Sequence, residues 1–209
     1  MGTDVHAVFQ KKVAAKDGTT NWECVQTKWE QNRHYQLFAV LAGVRNGFGF
    51  AGVITGEAVT PISEPRGIPV DSGIGGDGCI ATPWEDRWGD AYVWLGTHSH
   101  SWLTSTEMLA HYRTLPTVIK TGVITREEFL SWDGSTPPET YYGSVSGPGV
   151  VTIPQNRARF IESNLGEDYT HVQIKWSQGL KEELQYFFDE IQRLHDLHGE
   201  VRMVFGFDS

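Results

Sequence analysis

Alternating apolar and polar residues at the beginning of the chain predict a β-hairpin. Residues 4–13 place an apolar or long side chain at every second position, as on one face of a strand. Residues 16–19 have the composition of a turn, and residues 21–28 are predicted to return as the second strand. The side chains on the shared face are Val5, Ala7, Phe9, Lys11 and Val13.

The clearest helical period lies in residues 34–45. Asn32 is a suitable N-cap, and the Asn46-Gly47 pair is a typical stop after the last turn. The sequence therefore predicts a buried helix. Its apolar side carries Tyr35, Leu37, Phe38, Leu41, Ala42 and Val44.

Two capping boxes predict shorter helices later in the chain. Thr104 and Glu107 have the spacing in which each residue satisfies a backbone N–H of the other. Thr125 and Glu128 repeat that spacing. The β-branched segment 117–124 between the two motifs predicts a strand.

The last forty residues have the most regular pattern. Residues 169–177 alternate as a strand, residues 179–198 form a long amphipathic helix that ends at Gly199, and residues 200–208 form another strand. If these two strands share a sheet, they form a parallel pair with a right-handed crossover.

Glycine and proline are concentrated between the regular segments. They are frequent in residues 47–97 and in residues 133–154, and residues 55–97 are predicted to be a loop-rich insertion. The fold class that we expect is α+β, with a small mixed sheet packed by a few helices. We expect residues 1–209 to form a single domain.

Composition and charge limit the function classes. The chain has 209 residues and a net charge of −9, so its average field repels duplex phosphates and argues against extended nucleic acid as a partner. Cys24 and Cys79 are too few for a disulfide framework and predict free thiols. We expect a cytoplasmic protein that does not enter a membrane, because no apolar run reaches about 18 residues and no signal peptide is visible.

Two pairs of residues have the spacing of metal ligands. Asp4 and His6, and likewise His98 and His100, stand two positions apart, so each pair shares a face if its segment is extended. Such a set suits a divalent transition metal such as Zn, Mn or Fe, which could activate water. Alternatively, Asp4 is an edge residue, and His98 and His100 cap a helix or line a protein contact.

Other residues are candidates for catalysis and phosphate binding. Glu107 is a candidate general base, although its capping box already explains it. Arg33, Arg45 and Arg66 are candidates for bidentate phosphate contacts, with solvent-exposed charge as the alternative. Trp102 belongs to an aromatic tract that could stack on a base, although such tracts more often form a core or an oligomer interface.

Several blocks of the sequence resemble a family of bacteriophage and prophage proteins. The family opens with Met-Gly-Cys-Asp-Ile-His, and Thr3 stands here in the position of its cysteine. The resemblance implies a phage or prophage origin, and with it the host bacterial cytoplasm, but no particular reaction. The blocks that carry it are 1–6, 33–47, 49–52, 65–69, 98–104 and 204–208.

Three functions are consistent with these features. The first is a phage accessory protein that acts on a phosphorylated or nucleotide-like small molecule as a metal-dependent hydrolase. The second is a non-catalytic binder, as a homo-oligomer, that sequesters a nucleotide immune signal of the host. The third is a protein–protein inhibitor, which the acidic balance permits.

Overall fold

A computed structural model gives the architecture and describes residues 2–15, 18–31, 33–86, 89–166 and 168–209. These residues confirm the predicted α+β class, with helices and strands distributed along the chain. The strands are β1 (Asp4–Ala14), β2 (Thr20–Val25), β3 (Cys79–Ala81), β4 (Tyr92–Trp94), β5 (His98–Thr104), β6 (Thr117–Thr125), β7 (Thr152–Pro154), β8 (His171–Gly179) and β9 (Val201–Asp208). The helices are α1 (Tyr35–Ala42), α2 (Ser105–Tyr112), α3 (Arg126–Ser131), α4 (Gln155–Ser163) and α5 (Leu180–His198), with a short 3-10 turn at Phe50–Gly52.

By its internal contacts the chain divides into two compact units. The larger unit comprises Met1–Asn46, Val59–Leu115 and Lys181–Ser209, and the smaller unit comprises Gly47–Ala58 and Pro116–Leu180. Each unit is built from segments that are distant in the sequence, so neither corresponds to one continuous stretch of chain.

A four-stranded antiparallel sheet organises the larger unit. Its strand order is β2-β1-β9-β5, so the predicted hairpin of β1 and β2 is confirmed and β9 lies in the interior of the sheet. The separate pair β3-β4 lies within the predicted loop-rich insertion.

Both faces of this sheet are covered. On one face Trp29 packs between Phe9 and Phe187, with ring centroids 6.3 and 5.1 Å away, and Phe38 packs on Phe207 at 5.2 Å. Edge-to-face ring pairs of this kind add to the stabilisation from apolar burial. The other face is covered by a second buried cluster, formed by Val8, Ile80, Leu95 and Val204.

The buried helix α1 is confirmed, but it ends earlier than predicted. Gly43 adopts the left-handed conformation at φ 69°, and its N–H donates to the carbonyl oxygen of Ala39, which ends the helix before the Asn46-Gly47 pair. At the other end His34 Nδ1 accepts a hydrogen bond from the N–H of Leu37 at 3.2 Å. The predicted N-cap Asn32 lies outside the described residues.

The smaller unit contains a three-stranded sheet of order β6-β8-β7. β6 is antiparallel to β8, whereas β7 is parallel to β8, so β7, α4 and β8 form a β-α-β unit. β8 and β9 lie in different sheets, and the parallel pair that depended on a shared sheet does not form. α3 and α4 cover the sheet through a buried cluster that includes Ile124, Ala158, Val172, Ile174 and Trp176.

Of the two predicted capping boxes, the first forms both reciprocal hydrogen bonds and the second forms one. Thr104 and Glu107 form the predicted reciprocal capping box at the beginning of α2. Thr125 accepts a hydrogen bond from the N–H of Glu128 at 3.2 Å, as predicted for α3. The carboxylate of Glu128 instead accepts hydrogen bonds from the N–H and hydroxyl of Thr140, at 3.1 and 3.0 Å, and so fixes the loop that follows α3.

The long amphipathic helix α5 is confirmed over 19 residues. Its buried residues include Leu184, Phe187 and Ile191, and Gly199 follows its end at φ 73°. In the described ranges of the chain, no helix combines the length and the apolar character needed to cross a membrane.

Glu190 joins α5 to the segment after β2. One carboxylate oxygen accepts hydrogen bonds from the hydroxyl of Thr27 at 2.9 Å and from the N–H of Lys28 at 2.7 Å. Arg193 donates to both oxygens, at 2.6 and 2.7 Å. The Arg193 guanidinium, together with these donors, lowers the pKa of Glu190 to about 2.

We predict that Glu190→Gln lowers the free energy of unfolding at neutral pH by about 2 kcal/mol, because it removes a buried charge from several donors. The folded pKa is depressed, so this stabilisation is present above the ordinary pKa of 4.5 and is lost as the pH falls towards 2. Urea unfolding at a series of pH values measures the difference. Glu182→Gln, at an exposed position of the same helix, is the control. An equal effect of both substitutions would contradict the prediction.

Candidate functional site

The predicted metal ligands lie at one end of the four-stranded sheet. β1 begins there, β9 ends there and β5 begins there, because Asp4 pairs with Asp208 and His98 pairs with Phe207 across the antiparallel ladders. We call this group the sheet-end cluster. Its members are Asp4, His6, Arg33, His98, His100 and Asp208.

Arg33 binds the carboxylate of Asp4 with two hydrogen bonds. Its Nε and Nη2 atoms donate to the two oxygens of Asp4 at 2.9 and 2.6 Å. The hydrogen bonds from Arg33 lower the pKa of Asp4, which therefore stays ionised. In this arrangement Asp4 compensates the charge of Arg33, so neither group is available to a metal or a phosphate unless the ion pair opens.

His6 faces a carboxylate that the sequence analysis did not select. His6 Nε2 lies 3.3 Å from Oδ2 of Asp208, and its ring lies 5.2 Å from that of Trp94. Asp208 also accepts a hydrogen bond from the N–H of Asp4 through Oδ1 at 3.2 Å. The signal that would have found Asp208 is the antiparallel pairing of β1 with β9, which no local pattern specifies.

A β-bulge separates the two histidines of β5. Ser99 has φ 52°, and the pairing with β9 shifts register between His98 and Ser101, so the segment is not regularly extended. His98 Nε2 lies 3.0 Å from the hydroxyl oxygen of Ser209, whereas His100 Nε2 lies 3.1 Å from the carbonyl oxygen of Gly96. The condition for a shared face therefore fails, and each imidazole has its own protein partner.

The described part of the chain does not bring the predicted metal ligands together as a ligand set. Within the described ranges, no three or more His, Cys, Asp or Glu side chains are placed together so that they could hold a metal ion. The Zn, Mn or Fe site built from Asp4, His6, His98 and His100 stays a prediction.

Arg45 contacts two residues of the larger unit. Its Nε donates to the hydroxyl of Thr3 at 2.9 Å, and its guanidinium lies 5.6 Å from the ring centre of Tyr35. Thr3 is buried. The hydroxyl of Thr3 therefore supplies a hydrogen-bond acceptor for Arg45.

Arg66, in the irregular segment before β3, forms a separate group with Trp102 of β5 and Glu107 of α2. Arg66 donates to both carboxylate oxygens of Glu107, at 3.1 and 2.8 Å, and its guanidinium lies 5.1 Å from the ring centre of Trp102. The hydrogen bonds from Arg66 and from Thr104 lower the pKa of Glu107. A carboxylate with a lowered pKa is a weaker general base. The two hydrogen bonds from Arg66 instead indicate that Glu107 holds the Arg66 guanidinium in place.

The smaller unit contains a cavity of ≈ 780 Å³ that the sequence analysis did not anticipate. We call it the β7–α4 cavity, because it lies where β7 ends and α4 begins. Ile54 and Pro154 supply apolar lining. Its polar and charged lining residues are Thr121, Gln155, Asn156, Arg159, Gln173 and Lys175.

Charge distinguishes this cavity from the rest of the chain. Among the described residues that line it, Arg159 and Lys175 carry the charge, and both are cationic although the protein has a net charge of −9. In the part of the chain that the structure describes, neither of them forms an ion pair with a carboxylate. These two cations therefore differ from Arg33 and Arg66, whose charges are compensated by carboxylates.

Helix α4 begins next to the cavity without a side-chain cap. Pro154 occupies the N-cap position, and the first turn of α4 contains no acidic residue. This lack of a capping motif explains why the sequence did not predict α4. Lys175 and Gln173 do follow from the strand periodicity, since they alternate with the buried residues Ile174 and Trp176.

Comparison of the chain with protein-family models, with curated proteins and with solved structures finds no match. The resemblance to phage proteins accordingly stays a prediction.

Gly206 provides a test of the packing at the sheet-end cluster. A Cβ atom at Gly206 would overlap the carbonyl oxygen of Leu95 and Cδ2 of His100. We predict that Gly206→Ala lowers the free energy of unfolding by about 2 kcal/mol or more, because the backbone at Leu95 must move. Gly76→Ala is the control, since a Cβ atom at Gly76 meets nothing within 4 Å. Equal stability of the two variants in urea unfolding would show that the close packing is absent.

Proposed function

We propose that the protein binds a phosphorylated small molecule in the β7–α4 cavity and does not alter it chemically. The observation that carries this proposal is the pair of uncompensated cations, Arg159 and Lys175, in the lining of a cavity of an acidic protein.

Charge supports an anionic ligand. A protein with a net charge of −9 repels anions on average, so selective binding needs a local positive region. An arginine and a lysine that form no ion pair with any described carboxylate supply it, and both residue types bind phosphate through charge-assisted hydrogen bonds. A phosphate group gains more here than at Arg33 or Arg66, where it would have to displace Asp4 or Glu107.

Size supports a small molecule. Pockets for small ligands have volumes of about 300–1,000 Å³ and combine apolar walls with a few polar groups. The β7–α4 cavity, at ≈ 780 Å³, combines Ile54 and Pro154 with amide, hydroxyl and cationic side chains.

The place of the cavity in the fold also supports a ligand site. Ligands of sheets with parallel strands bind outside the carboxyl ends of those strands, where the helix that follows begins. The cavity lies at the carboxyl end of β7, which is parallel to β8 and leads directly into α4.

The chemistry of the lining favours binding over hydrolysis. Hydrolysis by acid–base catalysis needs a group that accepts and returns a proton near neutral pH. The described residues that line the cavity include no carboxylate, histidine or cysteine. In a phage-encoded protein, such binding would sequester a phosphorylated host molecule, which is the binding alternative derived from the sequence.

Metal-dependent hydrolysis at the sheet-end cluster is the competing proposal. It requires Asp4 to leave Arg33, and the two histidines of β5 to turn towards a common ion. We predict that metal analysis of the purified protein, kept free of chelators, finds less than about half an equivalent of Zn, Mn or Fe. A full equivalent that is lost in Asp4→Asn and His98→Ala would favour the hydrolase.

Calorimetric titration tests the binding proposal directly. The probes are ribose 5-phosphate, AMP and GMP, each compared with its dephosphorylated counterpart. We predict that at least one phosphate ester binds about tenfold more tightly than its counterpart, because charge-assisted bonds add to affinity. The double variant Lys175→Gln, Arg159→Gln should lose this difference. Arg157→Gln should retain it, since Arg157 is exposed on the same helix but does not line the cavity.

Two outcomes would contradict the binding proposal. Equal affinity for each ester and its counterpart would reject a phosphate site. Recovery of a cleaved ester after the protein is denatured would reject binding without chemical change.

A further inference from the structure

We infer that the ligand of the β7–α4 cavity is a nucleoside phosphate, whose base contacts side-chain amides while its phosphate contacts the two cations. The inference rests on the proposed function and adds the chemical class of the ligand.

Strand β8 places an amide next to a cation. Gln173 and Lys175 are both exposed, and they stand two positions apart on the same face of the strand. Side chains at this spacing are separated by about 7 Å along a strand. A ligand that contacts both therefore has an anionic group and a neutral hydrogen-bonding group a few bonds apart.

Helix α4 repeats this combination on the other side of the cavity. Gln155 and Arg159 stand four positions apart and therefore lie on one face of the helix. Asn156 accepts a hydrogen bond from the N–H of Arg157 through Oδ1 at 2.9 Å, and this bond does not use its amide NH₂ donors. Two elements thus each present amides together with a cation.

Three side-chain amides suit the edge of a nucleobase. A carboxamide carries a donor and an acceptor side by side, as does the hydrogen-bonding edge of a base, so the two can form paired hydrogen bonds. A sugar phosphate without a base offers hydroxyl groups and no planar edge of this kind. Gln155, Asn156 and Gln173 therefore favour a ligand that includes a heterocycle.

The apolar part of the lining suits the face of the same ring. Ile54 is 65% exposed although it is a large aliphatic residue. Its segment is held beside β6, because the N–H of Thr121 donates to the carbonyl oxygen of Thr55 at 2.9 Å and Gly56 forms a bridge with Lys120. A planar ring packed on Ile54 and Pro154 would bury apolar surface that is otherwise in contact with water.

The experiment compares ligands that share a phosphate and differ in the base. Calorimetric titration uses ribose 5-phosphate, the four nucleoside monophosphates AMP, GMP, CMP and UMP, and adenosine. We expect at least one nucleotide to bind about tenfold more tightly than ribose 5-phosphate. In Gln173→Leu this preference should fall to about threefold or less, with the affinity for ribose 5-phosphate retained. Ser177→Ala, an exposed position of β8 outside the cavity lining, should behave as the wild type.

The outcomes separate this inference from the proposed function. If ribose 5-phosphate binds as tightly as every nucleotide, the phosphate site stands and the inference about the base is wrong. If Gln173→Leu retains the full preference, the assignment of the base to the amides is wrong. If neither ribose 5-phosphate nor any nucleotide binds, both proposals fail. If AMP binds more tightly than ribose 5-phosphate but no more tightly than adenosine, the base is recognised without the phosphate, and the proposed function is wrong.

Discussion

The burial of β9 on both faces is the constraint on which the larger unit depends. Its residues from Val201 to Phe207 are buried, with Phe38 of α1 packed on Phe207 on one face and the cluster around Val204 on the other. Because β9 pairs with β1 on one edge and β5 on the other, it brings the beginnings of both strands to the same end of the sheet. The sheet-end cluster is a consequence of this pairing. Its polar groups bind one another or neighbouring groups of the chain, so the cluster fixes the end of the sheet.

Elements with a strong local periodicity could be predicted from the sequence, whereas the strands with which they pair could not. The alternation of β1, the apolar stripe of α5 and the capping box of Thr104 are local properties, and each element forms where it was expected. Strand pairing depends on contacts between distant segments, which is why β8 and β9 were wrongly considered for one sheet. A positive φ at Ser99 places a β-bulge between His98 and His100, so these two side chains do not share a face as they would on a regular strand.

Contacts between distant segments also decide which charged side chains of the candidate sites are available to a ligand. A sequence reveals where arginines stand, but not which of them already bind a carboxylate. Arg33 and Arg66 were candidates for phosphate, and in the structure each donates two hydrogen bonds to an acidic residue far away in the sequence. No motif in the sequence singles out Lys175 on its predicted strand, yet it lines a cavity whose described lining residues include no acidic one. Charge compensation in three dimensions therefore decides which cations are available to a ligand.

The most direct test of this account is to locate the ligand site by NMR. Backbone ¹H–¹⁵N spectra of the labelled protein would be followed while AMP is added at constant pH and ionic strength. If AMP binds in the β7–α4 cavity, the largest shifts occur at Thr121, at residues 155–159 and at residues 173–175, which lie in or next to the cavity lining. Largest shifts at His6, His98 and Asp208 would contradict it and would assign function to the sheet-end cluster.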